Sequence, residues 1–239
     1  MHDLLAEAIQ AHGGLDRWNH FDTLRATIVS GGELYVLKGM PQDPAPREQV
    51  ISLHRQSASV QPFGAPDQKT RFTPEHVAIE KLDGTVVAER SNPRASFAGH
   101  ELTTAWDPLQ RAYFNGYALW TYLTVPFSLT TPGTRIESIA PWQEGAETWR
   151  GLRATFPTGF ASHSQVQEFY FGDDGLLRRH DYHLDVAGGD PATQYVYDIV
   201  DVAGIRVATR RHAFMRAADN SPLREREMVF VNISNLRFS

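Results

Sequence analysis

Apolar and polar positions repeat with two different periods along the chain, and the change of period divides it. Leu4, Leu5, Ala8 and Ile9 recur at helical spacing, with His12 next on the same stripe. This predicts a short amphipathic helix from about residue 3, stopped by Gly13-Gly14. Leu15 to Trp18 predicts one further helical turn. From Thr23 the pattern is β-branched: Leu24 to Ser30 predicts a strand, Gly31-Gly32 a hairpin turn, and Glu33 to Lys38 a second strand. Gln49 to Ser59 alternates as a strand, and the stretch holding Pro62, Gly64 and Pro66 is a loop. Val77–Leu82 and Thr85–Arg90 flank Asp83-Gly84, a strong hairpin signal. Residues 91–105 carry no regular pattern.

A single long helix is predicted next. Asp107 can cap it and Pro108 suits its first turn, where no amide donor is needed. Leu109, Ala112, Tyr113, Gly116, Trp120 and Leu123 lie along one stripe, and the helix must end before Pro126. Period two then returns. Arg135–Ala140, Thr148–Phe156, Gln165–Phe171, Leu176–Val186, Thr193–Val202, Ile205–Arg216 and Glu225–Ile233 are strand candidates, mostly separated by glycine turns or polar loops. Short links favour antiparallel pairing, because a parallel neighbour needs a crossover of a dozen or more residues. Roughly ten such strands predict one large curved antiparallel sheet. The expected fold is α+β, mainly β: an unclosed half-barrel with helices over its concave face, as a single domain spanning 1–239.

Composition narrows the function classes without naming one. The 239 residues include 13 Phe, 8 Tyr, 5 Trp and no Cys, which excludes disulfides, thiolate metal sites and cysteine nucleophiles. A formal charge of −5 and the absence of a basic cluster argue against a nucleic-acid partner. No stretch approaches the roughly 20 apolar residues of a membrane-spanning helix. The N-terminus MHDLLAEAIQAHGG has no basic segment followed by an apolar one, so the expectation is a cytoplasmic protein.

Four stretches together carry a family resemblance: AHGGLDRW at 11–18, WDPLQRAYFNGYALW at 106–120, FYFGDDGLLRRHDY at 169–182 and GIRVATRR at 204–211. Their order resembles that in a group of bacterial proteins with a LolA/LolB-like, lipoprotein-carrier type of fold. The resemblance implies a strongly curved antiparallel sheet with helices across its concave face. In carriers of this fold an apolar cavity between sheet and helices holds acyl chains.

The candidate ligand contacts are aromatic. Tyr113, Tyr117 and Trp120 on the long helix, with Trp106, Tyr182 and Tyr195, have apolar bodies and polar tips suited to lining a pocket for an apolar or amphipathic molecule. The plain alternative is that they fill the sheet's open face as core. His180, Arg94 and His100 are the candidate polar contacts; Arg94 could pair with an anionic head group or with a surface acid. Along the strand Arg178–Val186, His180, Tyr182, Leu184 and Val186 share one face, expected inward. Arg179, Asp181, His183 and Asp185 share the other, expected in solvent. His180 and His183 therefore point apart and should not share a metal, and no cofactor is expected. No GxSxG, HExxH, GxGxxG or P-loop is present. The primary expectation is non-catalytic binding of an acyl-chain-like or other amphipathic small molecule. One alternative is an enzyme with His180 or His100 as base beside Asp107; another is a structural or interaction module with a filled core and an unknown protein partner.

Overall fold

A computed structural model describes residues 1–40 and 44–239. Helices α1 (Asp3–Ala11) and α2 (Leu15–Trp18) precede β1 (Thr23–Gly31) and the short α3 (Glu33–Leu37). Strands β2 (Arg47–Ser52), β3 (Ala58–Gln61), β4 (Gln68–Thr73), β5 (His76–Lys81) and β6 (Val86–Ser91) follow. Helix α4 (Pro108–Thr124) comes next. The chain ends with β7 (Arg135–Glu144), β8 (Glu147–Thr155), β9 (Val166–Phe171), β10 (Leu177–Leu184), β11 (Asp190–Val202), β12 (Ile205–Arg216) and β13 (Pro222–Phe238).

All 13 strands form one antiparallel sheet in the order β6-β5-β4-β3-β2-β1-β13-β12-β11-β10-β9-β8-β7. This order explains the helix. The chain walks outward from β1 to one edge at β6, crosses to the opposite edge at β7, and walks back until β13 closes on β1. The crossing segment must traverse the concave face, and α4, about 25 Å long at 1.5 Å per residue, is its centre. Every residue of α4 from Leu109 to Thr124 is buried. A helix buried all round is a core element, even with Gln110, Arg111, Asn115, Thr121 and Thr124 in it.

Its ends are set as the sequence predicts. The Asp107 carboxylate accepts from Gln110 N at 2.8 Å, and Gln110 Oε1 accepts from Asp107 N at 2.9 Å, a reciprocal capping box. The helix stops at Thr124, two residues before Pro126. Gly116 sits where the helix presses on β4: a Cβ there would lie 2.2 Å from Phe72 Cγ. Only a residue without a side chain permits that approach.

Two stretches depart from the pattern. Glu33–Lys38 is not a strand: Leu34 and Tyr35 are both buried, whereas Val36 is 63% exposed. Adjacent buried positions fit one helical turn, not alternation. Gly32 starts that turn rather than a hairpin, with φ +123°, and a Cβ there would lie 2.3 Å from the Met228 carbonyl oxygen. Gln49–Ser59 divides into β2 and β3, and β4 has no counterpart in the sequence reading. Its alternation is written mostly in polar residues, with Thr70 and Phe72 buried among Gln, Lys and Arg.

Candidate functional site

Strand β10 organises both faces of the sheet. His180 and Tyr182 point into the concave side, as expected. The His180 ring stacks on Phe169 with centroids 4.4 Å apart, and its Nε2 lies 2.5 Å from Gln167 Oε1. Tyr182 stacks on His163 at 4.0 Å. Burial lowers the pKa of His163 to about 3, with the nearby Arg94 charge adding to the effect, and holds His180 well below its ordinary value. Both rings are therefore neutral near pH 7.

The opposite face of β10 corrects the sequence reading. Arg179 and Asp181 are not solvated; they are 0% and 1% exposed. Asp181 takes two hydrogen bonds from Arg179 at 2.7 Å each and one from Thr193 at 2.6 Å, and it also pairs with Arg216. The β7–β8 hairpin covers the pair: Trp142 lies 3.8 Å from the Arg179 guanidinium, and Trp149, Tyr170, Tyr195 and Phe214 form a second apolar cluster around it. Tyr195, opposite Arg179 in the ladder, belongs to this convex cluster. The sheet separates it from the other candidates.

On the concave side the rings meet one another. Tyr113 packs edge-on against Phe72 and Tyr117, Trp106 against Phe97 and Phe114, and Tyr117 against His163. The space under the middle of α4 is filled by side chains, while a hollow of about 400 Å³ lies at its N-terminal end, lined by Met40, Arg47, Phe63, Pro108 and Arg111. A hollow of about 10 Å³ beside Tyr122 and Arg211 has room for no more than about one water.

A larger open volume lies beside the helix. One lobe of about 600 Å³ is lined by Asn92, Arg94, Tyr113, Ser162, Ser164 and Asp185. A second, of about 580 Å³, is lined by Leu15, Trp18, Leu53, His54, Arg55, Trp120, Phe127 and Pro132. The lobes share Pro74, Glu75, Pro157, Gly159 and Phe160, so they form one two-lobed groove. Each lobe falls within the roughly 300–1,000 Å³ of small-molecule sites.

The segment 157–164, between β8 and β9, forms the shared wall and is anchored at both sides. Gln56 donates to Ala161 O at 2.7 Å and accepts from Ala161 N at 2.8 Å. Arg94 donates to Ser162 O at 2.7 Å and to His163 O at 3.3 Å. Phe160 stacks on Phe156 at 4.3 Å and meets Trp120 edge-on at 5.8 Å.

The structure brings together some of the expected contacts. Arg94 and Tyr113 line the first lobe and Trp120 the second. Tyr117, Tyr182 and His180 lie in the filled core, and Trp106 packs around Lys38, which is fully buried. His100 stands at the N-terminal end of α4, edge-on to Phe97, and lines neither lobe. Arg94 also pairs with Asp185 at 2.9 Å, so it lines the groove and forms an ion pair at once. Neither histidine of the enzyme alternative is hydrogen-bonded to Asp107: Asp107 caps α4 and pairs with Arg90 at 2.8 Å, His180 is bonded to Gln167, and His100 lies beside Gln110, the residue that completes the Asp107 cap. No group of three or more potential metal ligands occurs among the described residues. None of their helices is long and apolar enough to cross a membrane.

The backbone also matches known structures. A LolA superfamily protein from Nitrosomonas europaea superposes with a TM-score of 0.55 at 9% identity, over 98% of this chain and 92% of that one. A putative outer membrane lipoprotein-sorting protein domain from Vibrio parahaemolyticus gives 0.54 at 11% identity, over 99% and 91%. The fold is LolA-like. No family model matches the chain, and neither does any curated protein sequence.

Within this LolA-like frame, several groove residues went unmarked in the sequence: Trp18, Pro74, Glu75, Phe127, Pro157 and Phe160. One local signal was present. Pro157-Thr158-Gly159-Phe160 places a large ring in a turn between two strands, and a ring in a turn calls for a packing partner.

Proposed function

We propose that the chain is a non-catalytic binder of an apolar or amphipathic small molecule, held in the two-lobed groove beside α4. The observation that carries this reading is the groove itself. Its two lobes, of about 600 and 580 Å³, are walled by Pro74, Pro157 and Phe160 and floored by Tyr113, Trp18, Trp120 and Phe127. Aromatic and proline surfaces offer apolar contact with little side-chain freedom to lose on binding. The second lobe suits a flexible apolar chain. The first, with Arg94, Asn92, Ser162 and Ser164, suits a polar end. The likeness to a lipoprotein-sorting domain supports the same direction at the level of fold.

Binding by apolar burial has a chain-length signature. Each buried methylene contributes about 0.8 kcal/mol, so affinity should rise about fourfold per added methylene until the groove is full. Native mass spectrometry of the purified protein, followed by organic extraction, is expected to show one co-purifying hydrophobe per chain. A homologous series of single-chain amphiphiles added to stripped protein should reproduce the length dependence. Absence of any bound hydrophobe, together with affinities that ignore chain length, would contradict the reading.

A further inference from the structure

The hollow of about 400 Å³ at the N-terminal end of α4 is separate from the groove: among the described residues it shares no wall with either lobe. Phe63, Pro62 and Pro66 from the β3–β4 connection and Pro108 from the helix form its apolar walls. The other two wall residues that matter are cations, Arg47 on β2 and Arg111 on α4, only 3% and 6% exposed. Among the described residues, no Asp or Glu lines the space.

The fold brings each cation to the hollow from a different element. Arg47 alternates with Gln49 and Ile51 on the buried face of β2, and its Nη2 donates to Ser30 Oγ on β1 at 3.0 Å. Arg111 stands in the first turns of α4, with its guanidinium 4.6 Å from the centre of the Tyr35 ring. One charge is thus held on the sheet and the other on the helix, and the hollow reaches both. Such charges attract an anion more strongly where water is excluded. The guanidinium fork matches the two oxygens of a carboxylate. The remaining wall is apolar, so a singly charged group costs less to bring in than a doubly charged one. Proline and aromatic walls are stiff, and the space is smaller than either lobe of the groove, which suits a compact, rigid body rather than a long chain.

We propose that this hollow is a second binding site, for a compact apolar molecule that carries one carboxylate. Arg47 and Arg111 hold the carboxylate, and Phe63 and the three prolines enclose the apolar body. The inference does not rest on the groove reading, because the two spaces have different walls and different charge.

The test is isothermal titration calorimetry at pH 7.5 with naphthoate and with naphthamide, which has nearly the same shape and no charge. Wild type should bind one naphthoate per chain, at least tenfold more tightly than naphthamide. Arg111→Gln should weaken naphthoate at least tenfold and leave naphthamide unchanged. That variant also alters a buried contact with Tyr35, so Ala65→Trp serves as the second. Ala65 lines the hollow from the β3–β4 connection, and a large ring there fills the space while keeping both cations. Ala65→Trp should abolish naphthoate binding, with circular dichroism showing the variant folded. Saturating dodecanol, a probe of the groove, should not displace naphthoate. Absence of naphthoate binding, equal affinity for naphthoate and naphthamide, or unchanged naphthoate binding in folded Ala65→Trp overturns the site and leaves the groove reading untouched. Displacement by dodecanol overturns it too, by placing naphthoate in the groove.

Discussion

Acidification from pH 6.5 to 5.0 is expected to destabilise the fold by at least about 3 kcal/mol, a large share of the 5–15 kcal/mol that holds a typical domain together. The cause is three buried histidines. Burial lowers the pKa of His163 to about 3 and of His12 to about 4, and holds His180 well below 6.5. A group whose pKa is lower in the folded state contributes its full stability above the unfolded pKa. That contribution shrinks as pH falls below about 6.5, because the unfolded chain takes up a proton that the folded chain refuses. The loss runs at about 1.4 kcal/mol per pH unit for each histidine until the folded pKa is reached. Because the unfolded ring is already half protonated at pH 6.5, this gives about 1.6 kcal/mol each for His12 and His163, and His180 adds to it in the same direction. Urea denaturation at pH 5.0, 5.5, 6.0 and 6.5 checks it: the unfolding free energy should fall with a slope that steepens to about 3 kcal/mol per pH unit or more at pH 5.0. His163→Gln should lower the slope at pH 5.0 by about 1.4 kcal/mol per pH unit. A flat profile across this range would mean that the three rings are not buried neutral.

Asp181→Ala is expected to cost about 3–5 kcal/mol, because it leaves the fully buried Arg179 without its carboxylate. Three side chains lose their acceptor at once: Arg179, Thr193 and Arg216. The indole of Trp142 over the guanidinium can offset only a fraction of this, since such contacts contribute about 0.5–2 kcal/mol. The contrast is Glu48→Ala, which removes an ion pair with Arg25 whose side chains are 53% and 45% exposed. That loss should stay under about 1 kcal/mol. Equilibrium denaturation of both variants at pH 7.5 decides the matter. Equal effects would show that the convex cluster is solvated in solution.

The two predictions differ in how far the sequence announced them. His180 was legible as an inward residue, because period two fixes the face of a strand once its neighbours are known. Helix α4 was legible to within a residue at each end, since Asp107-Pro108 and Pro126 act locally. The antiparallel half-barrel followed from short links between strands. Arg179 and Asp181 were not legible as buried. Their cover comes from Trp142 on the β7–β8 hairpin and from the Asn220 carbonyl, and nothing in the strand itself reports either. Likewise Leu34-Tyr35 carries a strand-like composition and becomes a helical turn because both side chains must point inward.

The groove shows the same limit more sharply. Its shared wall joins Pro74 and Glu75 to Pro157 and Phe160, residues brought together only by the curvature of the sheet. The helix aromatics drew attention correctly to the concave face. Their exposure alone could not say that the rings would fill the space beneath the middle of α4 and leave the larger open volume beside it. Only Tyr113 and Trp120 keep a side toward that volume.

The most direct measurement is a fluorescence titration of a single-chain, polarity-sensitive amphiphile into wild type and Phe160→Glu. Phe160 is half-buried in the wall between the lobes, stacked on Phe156 and edge-on to Trp120. A carboxylate there puts charge into both lobes from a half-buried position at the margin of the core. Wild type is expected to bind saturably, one to one, and Phe160→Glu to bind at least tenfold more weakly while circular dichroism shows it folded. Absence of saturable binding by wild type, or equal affinity in the folded variant, would contradict binding in the groove.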